Sequence, residues 1–175
     1  MTRISVGIIF TMFLACACNS ADRSDVNTKK PDKGDLEKVN TYLVEKDRER
    51  ILAFIERKGL KLAESKSGIW YSISSEGEGQ KFSEGSKVLF SYKSYLLDGT
   101  ECYSSEITGP REVTVGKTEI EAGLSEGLKM LKPGGKALFI IPSFLAYGLL
   151  GDDKKIPPRA VIVYEIEILT NNQNK

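Results

Sequence analysis

Between Leu60 and Thr170 the chain is cut into short runs of β-branched and aromatic residues, punctuated by glycine-containing turns. Ile69-Trp70-Tyr71-Ser72-Ile73 ends at Glu76-Gly77-Glu78-Gly79, and the run Val88 to Leu97 ends at Asp98-Gly99, a strong turn signal. Arg111 to Val115 and Lys136 to Ile141 have the same character, and Ala160 to Thr170 alternates Val161 and Val163 with Ile162, Tyr164, Ile166 and Ile168. Only Ile120 to Leu131 departs from it. There Leu124, Leu128 and Leu131 recur at helical spacing, and Pro133-Gly134-Gly135 stops the helix and turns the chain. The pattern predicts an α+β domain, an antiparallel sheet with one short helix and several long loops. Eleven of the fifteen aromatic residues fall within this stretch, as one shared core would require.

The chain ahead of it has three parts. Residues 1–17 carry Arg3 and then an uncharged run from Ile4 to Ala17, the layout of an export signal and short for a membrane span of roughly 20 residues. Phe13-Leu14-Ala15-Cys16 and Ala15-Cys16-Ala17-Cys18 both resemble a bacterial lipobox, so Cys16 or Cys18 is the expected lipid acceptor; polar Asn19 and Ser20 favour Cys18. Several acyl chains there would hold the protein to a bilayer. Residues 18–34 are polar, with Val26 the only sizeable apolar side chain, and read as a flexible tether. Residues 35–59 place Leu36, Val39, Leu43, Ile51, Leu52, Phe54 and Ile55 at helical spacing, with charges between them and Gly59 as the stop. The stripe is interrupted at Asp47. One or two amphipathic helices packed on the domain is the reading favoured over a dimerisation helix, because the stripe is short for a coiled coil. Residues 60–175 form the globular domain.

Composition narrows the chemistry. The chain of 175 residues has no histidine, which removes Ser-His-Asp and Cys-His catalysis and every imidazole-bearing zinc site. It also removes the commonest general base near neutral pH. Lys+Arg 25 against Asp+Glu 24 leaves no basic surplus, which argues against nucleic acid as a partner. Two apparent motifs read as turns. Gly116-Lys117-Thr118 lacks the earlier glycine of a phosphate loop, Arg111 standing in its place, and Gly151-Asp152-Asp153 has no further ligands at calcium-loop spacing.

Five blocks then carry a resemblance. They are Val88–Tyr92 with Leu96-Leu97-Asp98-Gly99-Thr100; Val115-Gly116-Lys117 through Glu121-Ala122-Gly123-Leu124-Ser125-Glu126-Gly127-Leu128; Met130-Leu131-Lys132-Pro133-Gly134-Gly135-Lys136; Ile141-Pro142-Ser143-Phe144-Leu145-Ala146-Tyr147-Gly148; and Ile156-Pro157-Pro158-Arg159-Ala160. In this order and spacing they resemble the FK506-binding-protein (FKBP) family of peptidyl-prolyl cis–trans isomerases. The lipid signal and charged helix in front resemble its lipoprotein members in Gram-negative envelopes, some of them associated with gliding motility. The resemblance implies an antiparallel sheet wrapped around the short helix, and proline-containing polypeptides as partners. It implies no metal and no cofactor.

That reaction suits a chain without histidine. An X–Pro bond prefers trans by only about 0.5–1 kcal/mol, yet rotation crosses about 18–20 kcal/mol. Rotation needs no nucleophile, metal or proton transfer, only a site that binds the twisted amide better than the planar one. An apolar aromatic cup with one or two hydrogen-bond donors does so. The resemblance implies that Tyr92, Ile120 and Tyr164 form its walls, that Ile156 covers the prolyl ring, and that the Tyr147 hydroxyl donates to a substrate carbonyl. At Glu121 the backbone N–H is implied as a donor, whatever its side chain does.

The departures matter as much. Cys102 stands at a usual phenylalanine, Tyr103 at a usual aspartate, Arg111 where a pocket aromatic is common, and Leu124 at a frequent tryptophan. These changes should reshape the cup, giving weak or altered turnover and poor affinity for the family's macrolide ligands. Two functions follow: a lipid-anchored prolyl isomerase for exported proteins at the cell envelope, or a catalytically weak chaperone or polypeptide-binding module on the same fold.

Overall fold

The computed structural model describes residues 32–117 and 119–170, so the signal, both candidate lipid cysteines and most of the tether lie outside the described residues. The first element is a single unbroken helix, α1 (Lys33–Lys58). It begins two residues earlier than the apolar spacing marks, because the Asp32 side chain caps it by accepting the N–H of Asp35 at 2.9 Å. Gly59 ends it in the left-handed conformation, φ 62°, its N–H donating to Glu56 and that of Leu60 to Ile55. Asp47 does not interrupt this helix; it is buried within it.

Strands β1 (Ala63–Glu64), β2 (Trp70–Ser75), β3 (Lys87–Leu96) and β4 (Glu101–Ser104) follow. After a four-residue helix, α2 (Ser105–Thr108), come β5 (Arg111–Thr114), α3 (Ala122–Lys129), β6 (Lys136–Ile141) and β7 (Ile162–Ile168). The strands form one antiparallel sheet in the order β1-β2-β6-β7-β3-β4, with β5 pairing the start of β3. The long β3 organises it: seven consecutive residues, Phe90 to Leu96, pair with β7 on one edge, while β5 and β4 share the other.

Alternation along the strands assigns the two faces. Phe139, Ile141, Ile162, Tyr164 and Ile166 point to one side and pack with Leu124, Leu128 and Leu131 of the α3 region. Ile140, Val161 and Val163 point to the other and pack with Ile51 and Phe54 of α1. Two glycines let α3 lie close: a Cβ on Gly123 would meet Ile141 Cγ2 at 2.4 Å, and one on Gly127 would meet the Phe139 ring at 3.1 Å. The short β4, which the sequence pattern does not mark, is what sets Cys102 and Tyr103 beside the core.

Candidate active site

The expected site residues converge on the α3 side of the sheet, from six different segments. Tyr92 comes from β3 and Tyr164 from β7, their ring centroids 6.3 Å apart. Ile120 and Glu121 precede α3, and Leu124 lies in its first turn. Ile156 precedes β7, Tyr147 follows a single 3-10 turn at Ser143–Leu145, and Cys102 and Tyr103 lie on β4. Ile120, Leu124, Ile156, Tyr164 and Cys102 are buried and belong to the same core cluster, against which Tyr92, Tyr103 and Tyr147 are half-buried. The arrangement is a buried floor with a tyrosine rim.

At its centre stands a carboxylate. The Tyr164 hydroxyl donates to Glu121 Oε1 at 2.9 Å, and Arg111 Nη1 faces Glu121 Oε2 at 3.7 Å. Arg111 is itself held by donating to the carbonyl of Glu119 at 3.1 Å. Glu121 Oε2 is buried and accepts no hydrogen bond from any of the described residues. Burial, and then the neighbouring Glu121 charge, push the Tyr147 phenol above the usual tyrosine range, and the same two causes in the same order act on Tyr164. Both phenols therefore stay neutral donors well past physiological pH. The family resemblance implies a role only for the Glu121 backbone N–H, whereas its side chain is the polar hub of the cluster.

A second group supports the opposite wall. The Tyr103 hydroxyl donates to Asp152 Oδ2, while Asp152 Oδ1 accepts the N–H groups of Lys154 and Lys155 at 3.0 Å and of Ile156 at 2.7 Å. Asp152 thus shapes the turn that presents Ile156. Burial opposes its charge, but the Tyr103 hydroxyl and the three N–H donors hold its carboxyl below the usual range. Hydrogen bonding to Asp152, then burial, push Tyr103 up to about 12. Burial likewise raises the Cys102 thiol, which packs as a small apolar side chain. Asp152 is invisible as a site residue in the sequence, its only signal being the Gly151-Asp152 turn.

The profile of the FKBP-type peptidyl-prolyl cis-trans isomerases matches residues 78–169, just over half of the chain. The chain is 38% identical over 103 residues to the probable FKBP-type peptidyl-prolyl cis-trans isomerase FkpA of Neisseria meningitidis serogroup B, covering 59% of this chain and 38% of that one. It is 34% identical over 116 residues to FkpA of Escherichia coli strain K12, covering 66% of this chain and 42% of that one. The chain thus spans about two fifths of the length of these curated relatives. The crystal structure of FkpA from Escherichia coli superposes with a TM-score of 0.61 at 26% identity, over 81% of this chain and 73% of that one. The profile covers more than half of the chain, and the relatives and the fold agree with it: the chain belongs to the FKBP-type peptidyl-prolyl cis-trans isomerase family.

Proposed function

We propose that this chain isomerises X–Pro bonds in exported polypeptides at the cell envelope. The prolyl ring enters between Tyr92 and Ile156 over the floor of Ile120, Leu124 and Tyr164. The Tyr147 hydroxyl and the Glu121 backbone N–H then donate to carbonyls flanking the bond. A planar amide keeps a strong dipole and prefers water; at the twist its resonance is lost, and an aromatic enclosure favours that state. The observation that carries this reading is the convergence of Tyr92, Tyr147 and Tyr164 on one core cluster. The chain divides accordingly: an export signal in 1–17, a lipid on Cys18 or Cys16, a tether from 18 that ends at 32 and not at 34 because the helix starts at Lys33, the helical segment to 59, and the catalytic unit in 60–175.

A prolyl-peptide exchange measurement on the full chain in detergent tests it. The wild type should shorten the uncatalysed tens to hundreds of seconds, and Tyr147→Phe should lower kcat/KM by about tenfold, the worth of one hydrogen bond made at the transition state. Unchanged turnover in the variant removes Tyr147 from the site.

A second reading, a polypeptide-binding module with little turnover, is favoured by one observation. The polar pair Arg111 and Glu121 occupies the cluster, where an apolar cup was expected. Peptide binding without exchange above the uncatalysed rate would select it.

A further inference from the structure

The loop that carries Tyr147 is tied from behind to α1 by one buried carboxylate. Asp47 is 1% exposed, and its Oδ2 accepts both the backbone N–H of Ser143, at 3.0 Å, and the Ser143 hydroxyl. The carbonyl of Ser143 in turn accepts the N–H groups of Ala146 at 3.1 Å and Gly148 at 2.7 Å, the two neighbours of Tyr147. Asp47 Oδ1 faces Arg50 Nη1 at 3.6 Å and Arg159 Nη2 at 3.7 Å. Arg159 closes the circuit, since its N–H donates to the carbonyl of Gly148 at 3.0 Å while its own carbonyl accepts from Arg50 at 3.2 Å. Arg159 holds φ at 57°, uncommon for a residue with a side chain, so the position is constrained by its bonds.

Docking α1 does not require this charge. Ile51 and Phe54 already bury against Ile140, Val161 and Val163 on the same face. A buried carboxylate is costly to desolvate, and an apolar residue in its place would commonly hold a helix as well or better. What the carboxylate adds is direction, and its bonds lead to both flanks of Tyr147.

We propose that Asp47 is a positioning residue for the isomerase site. Through Ser143 and Arg159 it fixes the 143–148 loop, and with it the direction of the Tyr147 hydroxyl. The N-terminal helix is then part of the working site and more than a spacer between lipid and domain. The inference rests on the reading of Tyr147 as the donor to substrate.

The test measures kcat and KM for prolyl-peptide exchange in the full chain, for Asp47→Ala, Asp47→Asn, Tyr147→Phe and the double variant Asp47→Ala/Tyr147→Phe. Ile51→Ala serves as a control that loosens α1 without touching the Asp47 bonds. Asp47→Ala should lower kcat severalfold and by no more than Tyr147→Phe does, as misplaced catalytic groups do, with KM little changed. Asp47→Asn, which keeps one acceptor, should recover most of the rate, and Ile51→Ala should stay near wild type. In the Tyr147→Phe background Asp47→Ala should have no further effect. Should Asp47→Ala fail to fold, Ser143→Ala removes only the hydroxyl donor and should lower kcat severalfold, again with no effect beside Tyr147→Phe. Equal losses in Asp47→Ala and Ile51→Ala overturn the inference, as do fully multiplicative losses in the double variant. A wild-type rate in Asp47→Ala beside an impaired Tyr147→Phe overturns it and leaves the site reading intact. An unimpaired Tyr147→Phe instead sinks the site reading itself.

Discussion

The two faces of the sheet are covered by helices held in different ways. On one, the α3 region presses Leu124, Leu128 and Leu131, all fully buried, onto Phe139, Ile141 and Tyr164, and its glycines bring it into close contact. On the other, α1 is more than three times as long yet fully buries only Ile51 and Phe54 among its apolar side chains, leaving Leu36 and Val39 more than half exposed. Polar points supply the rest of its hold: Asp47 to Ser143, Arg48 Nη2 to Glu64 at 2.8 Å, and Arg57 Nη2 to the carbonyl of Leu97 at 2.8 Å. Apolar burial is strong and non-directional, so it decides that a helix packs. Hydrogen bonds add little net stability but are directional, so they decide where it stops.

Truncation of matched aromatics should affect the two faces differently. Phe139→Ala should cost about 3–5 kcal/mol, because the sheet and α3 cannot close over the void, and the whole domain should melt earlier in one transition. Phe54→Ala should cost roughly half as much or less, since α1 can settle onto the sheet, and should expose α1 to proteolysis below the melting temperature of the domain. Denaturant unfolding with limited proteolysis measures both. Equal costs with a single transition would mean that the two faces form one cooperative unit.

The same contrast decides what was legible in the sequence. The α3 face was readable because its rules are local: a 3.6-residue repeat in Leu124, Leu128 and Leu131, a period of two in Val161 to Ile168, and turn residues at the ends. That Tyr92, Tyr147, Ile156 and Tyr164 meet in one cluster is legible because their motifs keep family spacing. The α1 face was not readable in the same way. Asp47 interrupts an apolar stripe, and nothing within its own helix shows that it is buried, because its partner Ser143 lies 96 positions away. Asp152 failed for a like reason: its role depends on Tyr103, 49 positions distant. The Glu121 side chain is hidden in the same way, since its partners Tyr164 and Arg111 come from two separate strands. Local pattern finds elements; polar partners across the fold stay hidden until the fold is in hand.

Within the α3 face the polar hub gives a smaller, sharper test. Tyr164→Phe removes one hydroxyl and little volume, leaving Glu121 Oε1 buried without its Tyr164 donor beside an Oε2 that accepts no hydrogen bond from the described residues. The expected loss is about 1–3 kcal/mol, the cost of an unsatisfied buried acceptor. Adding Glu121→Gln should recover part of it, since the neutral amide is easier to bury. Chemical denaturation of the two single variants and the double variant gives the coupling. A neutral Tyr164→Phe would mean that water or Arg111 replaces the donor, and that the cluster tolerates a polar floor with slack.

At the turn bearing Ile156 the dependence is milder and appears only in acid. Its hydrogen bonds hold the Asp152 carboxyl below the usual carboxylate range, so the folded state favours the ionised form. A depressed folded value contributes stability that is present above the ordinary pKa of about 3.9 and is lost as pH falls through the folded value. Asp152→Asn keeps an acceptor oxygen but has no charge to titrate. The gap in melting temperature between wild type and variant should therefore be constant from neutral pH down to about 5 and should close below about 4. Solvent screening keeps it within about 1 kcal/mol. A gap that persists unchanged at pH 3 would mean that the turn is held by shape alone, and Ile156 would then be positioned by packing on the core like the residues of the α3 face.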